Sequence, residues 1–447
     1  MRTTAVILAA GQGTRMRSKF PKVLHAILGR PMLQYALDAV RQVSDDLPVV
    51  VIGHGAEQIQ ESFTGQAHFV LQMEQLGTGH AVQQVHEQLE GRTEQVLVIT
   101  ADMPLLTAAT VNALMAEHTR YDGPISMLTL DADDPRGFGR IVRDAEGQVQ
   151  AIVEEAQATP EQMAIRELNA SVYCFRAEWL WPALKRIPLS PKGEYYLTDL
   201  VGIAIEDGLS VQAIKVADPT ETIGVNTRVH MAEAEALLRQ RINRQLMLAG
   251  VSIIDPANTY IEPGVSIGRD SVIWPNTYLR GDTTIGEDCM IGPNTIVQST
   301  QIGNGCKVLA SVLEYARLDD GVDMGPFGHL RKGAHLGEGV HMGNFGEVKD
   351  SYLGPGTKMG HFSYIGNATI GADVNIGAGT ITCNYDGKEK HNTEIGNGAF
   401  IGSDTMLVAP VKIGDGARTG AGAVVTKNVP PHTLAVGLPA RVIRKLE

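Results

Sequence analysis

Residues 267–297 read IGRDSVIWPNTYLRGDTTIGEDCMIGPNTIV, and an aliphatic residue returns at every sixth position: Ile267, Ile273, Leu279, Ile285, Ile291 and Val297. The beat slips and returns through Leu330, Leu336, Met342 and Val348, then Met359 and Ile365, then Ile370 and Ile376. It resumes at Ile395, Ile401, Leu407 and Ile413 and fades near Thr419 and Val425. Sixfold spacing walks around the surface of a helix instead of keeping to one face. A triangular coil of short parallel strands can use it, because each strand then turns one aliphatic side chain inward. Glycine follows the beat at Gly268, Gly286 and Gly292, where a corner with positive φ is expected. The second half is therefore expected to be a parallel β-helix. Between Ile381 and Ile395 the beat breaks, so an excursion loop is expected there. Such a coil reads as a catalytic body ahead of a pure oligomerisation scaffold, which stays the alternative.

The rest of the composition narrows the class. The chain of 447 residues is long enough for two or more cores. A net charge of -12 argues against nucleic acid or an anionic membrane as partner. An anionic small substrate would need a local basic pocket. The four cysteines (Cys174, Cys289, Cys306, Cys383) show no CxxC spacing, which favours a reducing compartment. The apolar stretch Ala5 to Ala10 is too short for a signal peptide and runs into a glycine turn, and nothing reaches membrane-spanning length. A cytoplasmic protein is expected. Residues 228–249 are rich in helix formers with Gly250 at the C-cap position, and read as an exposed helical arm. The expected division is 1–227, a helical linker 228–250, and the coil 251–447.

In the first half, AVILAA (5–10) is a continuous apolar run, as in a strand buried on both faces of a parallel sheet. It enters Gly11-Gln12-Gly13-Thr14-Arg15-Met16, where backbone N–H groups can cradle phosphate. Met16 stands where a dinucleotide fingerprint has its third glycine, and no P-loop lysine follows. Alone, the two glycines are as readily a plain turn; Arg15 and Lys22 add two cations to the same mouth. A second buried strand, Val96–Thr100, ends at Ala101-Asp102. A carboxylate at the carboxyl end of a strand suits Mg²⁺ shared with substrate phosphates; a turn or N-cap aspartate is the alternative.

The string LAAGQGTRM with PKVL downstream resembles the sugar-phosphate nucleotidyltransferases, an α/β fold with a Rossmann-like, mostly parallel sheet. The resemblance implies UTP-binding positions at Leu8, Ala9, Ala10, Gly11, Gly13 and Lys22, with Arg15 and Lys22 as the catalytic cations. It gives Gln72, in QMEQLGT, the uracil edge, and has Gly77 and Thr78 close over the base; an ordinary loop with Thr78 as helix cap is the plainer reading. It places Gly139, Glu154 and Asn169 at the sugar and makes Asn226 the second metal ligand beside Asp102. GEYYLTD (193–199) also matches, with no chemistry attached. Ala101, Ala170 and Ser171 depart from the usual pattern.

The coil resembles the hexapeptide-repeat acyltransferases, which implies a left-handed parallel β-helix. It further implies three coils side by side, a homotrimer, with acyl-donor sites between neighbours. Residues 325–387 resemble the acetyltransferase half of the bifunctional N-acetylglucosamine-1-phosphate uridylyltransferase/glucosamine-1-phosphate N-acetyltransferases, and the likeness extends over the whole chain. It implies His361 as general base, although a histidine in a coil is more commonly a corner residue. Arg331, Lys349, Tyr364 and Asn375 are then the sugar-phosphate positions, with Glu347 stabilising the imidazolium. Acetyl-CoA falls to Ala378, Asn384, Tyr385, Ser403 and Ala421. Gly328-His329 and Gly346 are the departures in this half. Together these readings imply an enzyme that acetylates glucosamine 1-phosphate and then joins the product to UTP, releasing pyrophosphate. Monofunctional nucleotidyl transfer on a scaffolding coil and a non-catalytic binding protein are the rivals.

Overall fold

An unbroken apolar run has no solvated face to offer, and in the computed structural model, which describes residues 1–445, it is the interior of a sheet. Strand β1 (Thr3–Ala9) is buried at every position but Leu8. Alternate side chains feed two cores: Ala5, Ile7 and Ala9 enter one, Val6 the other. Along the main path of the sheet the other strands are β2 (Val49–Ile52), β3 (His68–Leu71), β4 (Gln95–Thr100), β5 (Ile125–Asp131), β6 (Glu167–Arg176) and β7 (Val211–Lys215), and a hairpin of Arg140–Arg143 and Val149–Val153 joins it beside β6. Their order is β7-β5-β6-β4-β1-β2-β3. Only β6 runs antiparallel to its two neighbours; the other pairs on this path are parallel. From β1 the chain moves outward to β2 and β3, then returns to place β4 on the other side of β1. That reversal opens a crevice beyond the carboxyl ends of β1 and β4. The glycine loop and Asp102 both lie there.

Residues 1–237 and 238–447 form two compact units. The division falls inside one helix, Arg228–Leu248. Against the expectation of an exposed arm, this helix is held down at both ends. In the first unit Ala234 is fully buried, Glu233 pairs with Arg136 and Glu235 accepts from the Leu28 N–H. In the second unit Asn243 is fully buried and donates to the Pro256 and Thr259 carbonyls. The Arg239 guanidinium lies 4.5 Å from the Tyr260 ring centroid. The charged and polar residues read as a solvated face thus include anchors to both units.

The six-residue beat becomes strands of two to four residues in three sheets, parallel throughout except where the first closes on an antiparallel hairpin of Thr433–Gly437 and Ala440–Lys445. They begin at Ser252–Ile253, Thr259–Ile261 and Ser266–Ile267, and are called here the first, second and third faces. Beat residues stack in register along each face, as Ile273 on Ile291 and Leu279 on Val297, and their side chains fill one continuous core. The corner glycines act differently from expectation. Gly268 and Gly286 do not sit at positive φ; their positions admit no Cβ, which at Gly268 would lie 2.5 Å from the Gly286 carbonyl carbon one coil on. The left-handed residue comes two places later, and it is Asp270 and Asp288 in the first turns, then Gly305, Gly321, Gly339 and Gly356. Aspartate and glycine are the residues that tolerate that conformation at least cost. Gly292 does have positive φ, as expected.

Candidate active sites

The crevice beyond β1 and β4 is a cavity of about 710 Å³. Leu8, Ala9, Ala10, Gly11, Gly13, Arg15, Lys22, Gln72, Gly77, Thr78, Asp102, Glu154 and Asn226 all line it, so most of the expected positions converge. Gly13 is left-handed, and a Cβ there would stand 2.7 Å from the Lys22 Cβ, while nothing lies within 4 Å of one built at Gly11. Glycine at residue 13 thus lets the loop close down on Lys22, and glycine at residue 11 keeps the backbone bare toward the cavity. The Lys22 ammonium donates to Asp102 Oδ2 at 2.6 Å and to Asn226 Oδ1 at 3.1 Å. Burial pushes the Asp102 carboxyl up, but the Lys22 charge and hydrogen bond, together with hydrogen bonds from Thr100 and its own N–H, outweigh it and hold the group below its ordinary value. Asp102 is therefore no helix cap; the helix that follows, Ala108–Arg120, is capped by Thr107. Two hard oxygens already converge on one cation, the donor set that a magnesium ion shared with phosphate requires.

The other cavity residues divide by wall. Thr78 does not cap its helix, Thr78–Gln83; its hydroxyl accepts from the Leu197 N–H at 3.0 Å. The loop Leu76–Gly79 is laced to Tyr195, whose N–H donates to the Leu76 carbonyl and whose carbonyl accepts from Gly79, each at 2.8 Å. GEYYLTD thereby closes one wall, with Glu194, Tyr196 and Thr198 lining the cavity. The Thr198 hydroxyl donates to Glu154, whose carboxyl burial keeps above its ordinary range, with the Glu194 charge adding to the rise. Gly139 and Asn169 do not line the cavity and stand one layer behind it. The Gly139 carbonyl accepts from the Asn169 N–H, and Asn169 Nδ2 donates at 2.6 Å to the hydroxyl of Tyr173, which does line it. Ser171, at the departure noted in the sequence, has φ +56° and also lines the cavity. Gln75, Tyr173, Glu194, Tyr196 and Thr198 went unassigned in the sequence; QMEQLGT carried a signal for the first and GEYYLTD for the last three.

On the coil, four expected residues share one corner. His361, Ala378, Ser403 and Ala421 each follow by two places the end of a first-face strand, at Met359, Ile376, Ile401 and Thr419. These strands stack on successive coils, so the four residues form a column at the turn between the first and second faces. His361 is exposed and its ring makes no hydrogen bond among the described residues. Arg331 and Lys349 are neighbours on successive coils of the second face, one place beyond the Leu330–Val348 pair, and Glu347 lies beside Tyr364. Glu347 accepts from Arg331 at 2.9 Å, so its carboxylate orients the guanidinium and not the His361 imidazole. The hydrogen bond to Glu347 also holds Arg331 above its ordinary pKa. Asn375 is not gathered with these groups: it stands on the first face, between Lys358 and Phe400. The beat breaks where expected, at a loop in which Tyr385 bridges Lys390. Asp386 holds this loop, accepting from the Glu389 and Lys388 N–H groups and from His391, contacts that keep its carboxyl far below the usual range. Asn384 is buried and donates to Asn367 at 2.7 Å; Tyr385 is exposed.

Residues 5–194 match the MobA-like NTP transferase domain, residues 282–312 the hexapeptide repeat of succinyl-transferase, and residues 392–427 the bacterial transferase hexapeptide (six repeats). The "Bifunctional protein GlmU" of Trichlorobacter lovleyi is 48% identical, over 98% of this chain and 96% of its own length. The namesake from Shouchella clausii is 45% identical over 98% and 97%, and that from Pelotomaculum thermopropionicum 50% over 92% and 90%. The chain belongs to the GlmU family. Like its GlmU relatives it is a bifunctional transferase, a nucleotidyltransferase followed by a hexapeptide acyltransferase. The parallel coil is the left-handed β-helix of the hexapeptide repeat. Among the described residues, no helix is long and apolar enough to cross a membrane, and the four cysteines are unpaired.

Proposed function

We propose that residues 251–447 acetylate glucosamine 1-phosphate from acetyl-CoA, and that residues 1–227 join the product to UTP, giving UDP-N-acetylglucosamine and pyrophosphate. Residues 228–250 are the joint. The observation that carries the reading is the meeting of the Lys22 ammonium with Asp102 and Asn226 at the mouth of the glycine-loop cavity. A triphosphate entering there meets Lys22, Arg15 and the bare Gly11–Gly13 backbone. Asp102 and Asn226 are the residues that would hold Mg²⁺, with the Lys22 ammonium turned to phosphate. When bound, the ion supplies charge neutralisation on the triphosphate. Attack of the sugar phosphate on the α-phosphorus then needs positioning more than covalent help. Gln72 reads the uracil, Gly77 and Thr78 close over it, and Glu154 takes sugar hydroxyls, with Gly139 and Asn169 bracing that wall.

On the coil, Arg331 and Lys349 hold the sugar phosphate beside Tyr364. His361, its ring free of hydrogen-bond partners among the described residues, takes the proton from the acceptor amine as that amine attacks the thioester. Ala378, Asn384, Tyr385, Ser403 and Ala421 receive acetyl-CoA, with the Ala378 N–H on the developing oxyanion. Asn375 lies on a different face from Arg331, Lys349 and Tyr364. That separation supports a homotrimer in which the first face of one coil completes the site on a neighbour's second face. The particle is cytoplasmic. Thiol release from acetyl-CoA with glucosamine 1-phosphate as acceptor, followed by pyrophosphate release on adding UTP and Mg²⁺, tests both halves in one vessel. Absence of the thiol would leave a pyrophosphorylase on an inert coil.

A further inference from the structure

Gln72 is 3% exposed and lines the glycine-loop cavity. Its amide nitrogen has two protons, and both are spoken for. One goes to the Gly77 carbonyl at 3.1 Å, and the ring nitrogen Nδ1 of His80 lies 3.0 Å away for the other. The oxygen Oε1 accepts nothing within the described chain, and it is not among the sealed-off atoms. It is the part of the amide left facing the cavity.

His80 is caught between two amides. Its Nε2 lies 3.0 Å from the Gln84 amide nitrogen, which also donates to the His80 carbonyl at 3.1 Å. An imidazole carrying one ring proton can accept at only one nitrogen. One of the two glutamines must therefore turn its oxygen to the ring. Gln84 is partly exposed and can turn with water as an alternative partner, whereas turning the buried Gln72 would set its oxygen against the Gly77 carbonyl. The proton inventory settles on Nδ1 accepting from Gln72 and Nε2–H donating to Gln84.

On the reading that Gln72 faces the base, we propose that His80 is a positioning residue for nucleotide choice: it fixes the Gln72 amide as an acceptor toward the cavity. An acceptor there pairs with the N3–H of uracil and opposes the N3 lone pair of cytosine. A glutamine free to flip would serve both bases. His80 touches neither base nor phosphate; it acts by removing the one rotation that would make the site indifferent.

The test is kcat/KM for pyrophosphate release by the full-length protein with UTP and with CTP, N-acetylglucosamine 1-phosphate being the acceptor. His80→Leu fills the ring's space without an acceptor and is expected to lower the UTP-to-CTP preference by about five- to tenfold, the size of one neutral hydrogen bond. His80→Asn offers an oxygen where Nδ1 stands and is expected to hold the preference within about threefold of wild type, the smaller end of one neutral hydrogen bond. That rescue distinguishes amide orientation from mere packing. Should His80→Leu not fold, as judged by a lost thermal transition, His80→Ala carries the same expectation. A preference unchanged in the truncating variants overturns the proposal, and so does an equal loss in His80→Asn. Gln72→Ala separates this from the underlying reading: if it too leaves the preference intact, the base is read elsewhere and both ideas fall.

Discussion

Asp102 shows how one residue's environment decides its chemistry. The carboxylate is kept charged by Lys22 against its own burial, so it arrives at the reaction as a ready anion for a divalent cation. Asp102→Ala is expected to reduce UTP-dependent pyrophosphate release by orders of magnitude while acetyl transfer persists, both followed in the same preparation. Near wild-type uridylyl transfer in that variant would remove Asp102 from metal binding. Glu154 is the opposite case. Burial raises its pKa above the ordinary 4.5, so the fold prefers the protonated acid. The stability that preference contributes is fully present below about pH 4.5 and is lost as pH rises through the raised value. Glu154→Gln is therefore expected to melt higher than wild type at pH 7 and to lose that advantage at pH 4, while its kcat/KM for the sugar phosphate falls. A melting difference independent of pH would contradict the linkage. At His361 the ring has no hydrogen-bond partner among the described residues, so it is open to a substrate. His361→Ala is expected to lower acetyl-transfer turnover by about 10²-fold or more, within the general-base range, with uridylyl transfer unchanged. A loss below about threefold, well under that range, would make it a corner residue only.

At the scale of elements, the coil turns separate two demands that a glycine count merges. One position must have no Cβ because the next coil is too close; the other must tolerate positive φ. Gly268 answers the first and Asp288 the second. Gly268→Ala is expected to destabilise the coil by about 1–3 kcal/mol, the cost of overpacking. Asp288→Gly, which meets no clash and already sits at φ +57°, is expected to change stability by less than about 1 kcal/mol. Thermal melts of the two variants check the contrast, and a Gly268→Ala loss no larger than that of Asp288→Gly would remove the clash with the next coil as the reason for glycine at residue 268. In the N-terminal sheet the decisive element is the reversal at β1, which brings a loop after residue 9 and a carboxylate at residue 102 to one crevice.

At the scale of the molecule, the two compact units hold separate cores, so each chemistry should tolerate loss of the other. The coil residues assigned to the sugar phosphate stand on two faces of one prism, the placement on which the proposal of a site shared between chains rests. Light scattering is expected to give three chains per particle. A strictly monomeric protein that still transfers acetyl groups would refute the shared site.

The β-helix was legible in Ile267, Ile273, Leu279 and their successors because its core is built from local repetition. One inward side chain per short strand leaves its period in the sequence whatever surrounds it. The buried strand at residues 5–10 and the excursion after Ile381 were legible for the same reason. What only the tertiary structure decided are the hydrogen-bond pairings, some of them across long separations. Lys22 meets Asn226 across 204 residues, Leu197 meets Thr78 across 119, and Glu347 turns to Arg331 and away from His361. Hydrogen-bond partners leave no period, and a polar side chain of given type suits a cap, a loop or a site equally until the fold supplies its neighbour. The buried anchors of the joining helix and the double hold on the Gln72 amide belong to that second class.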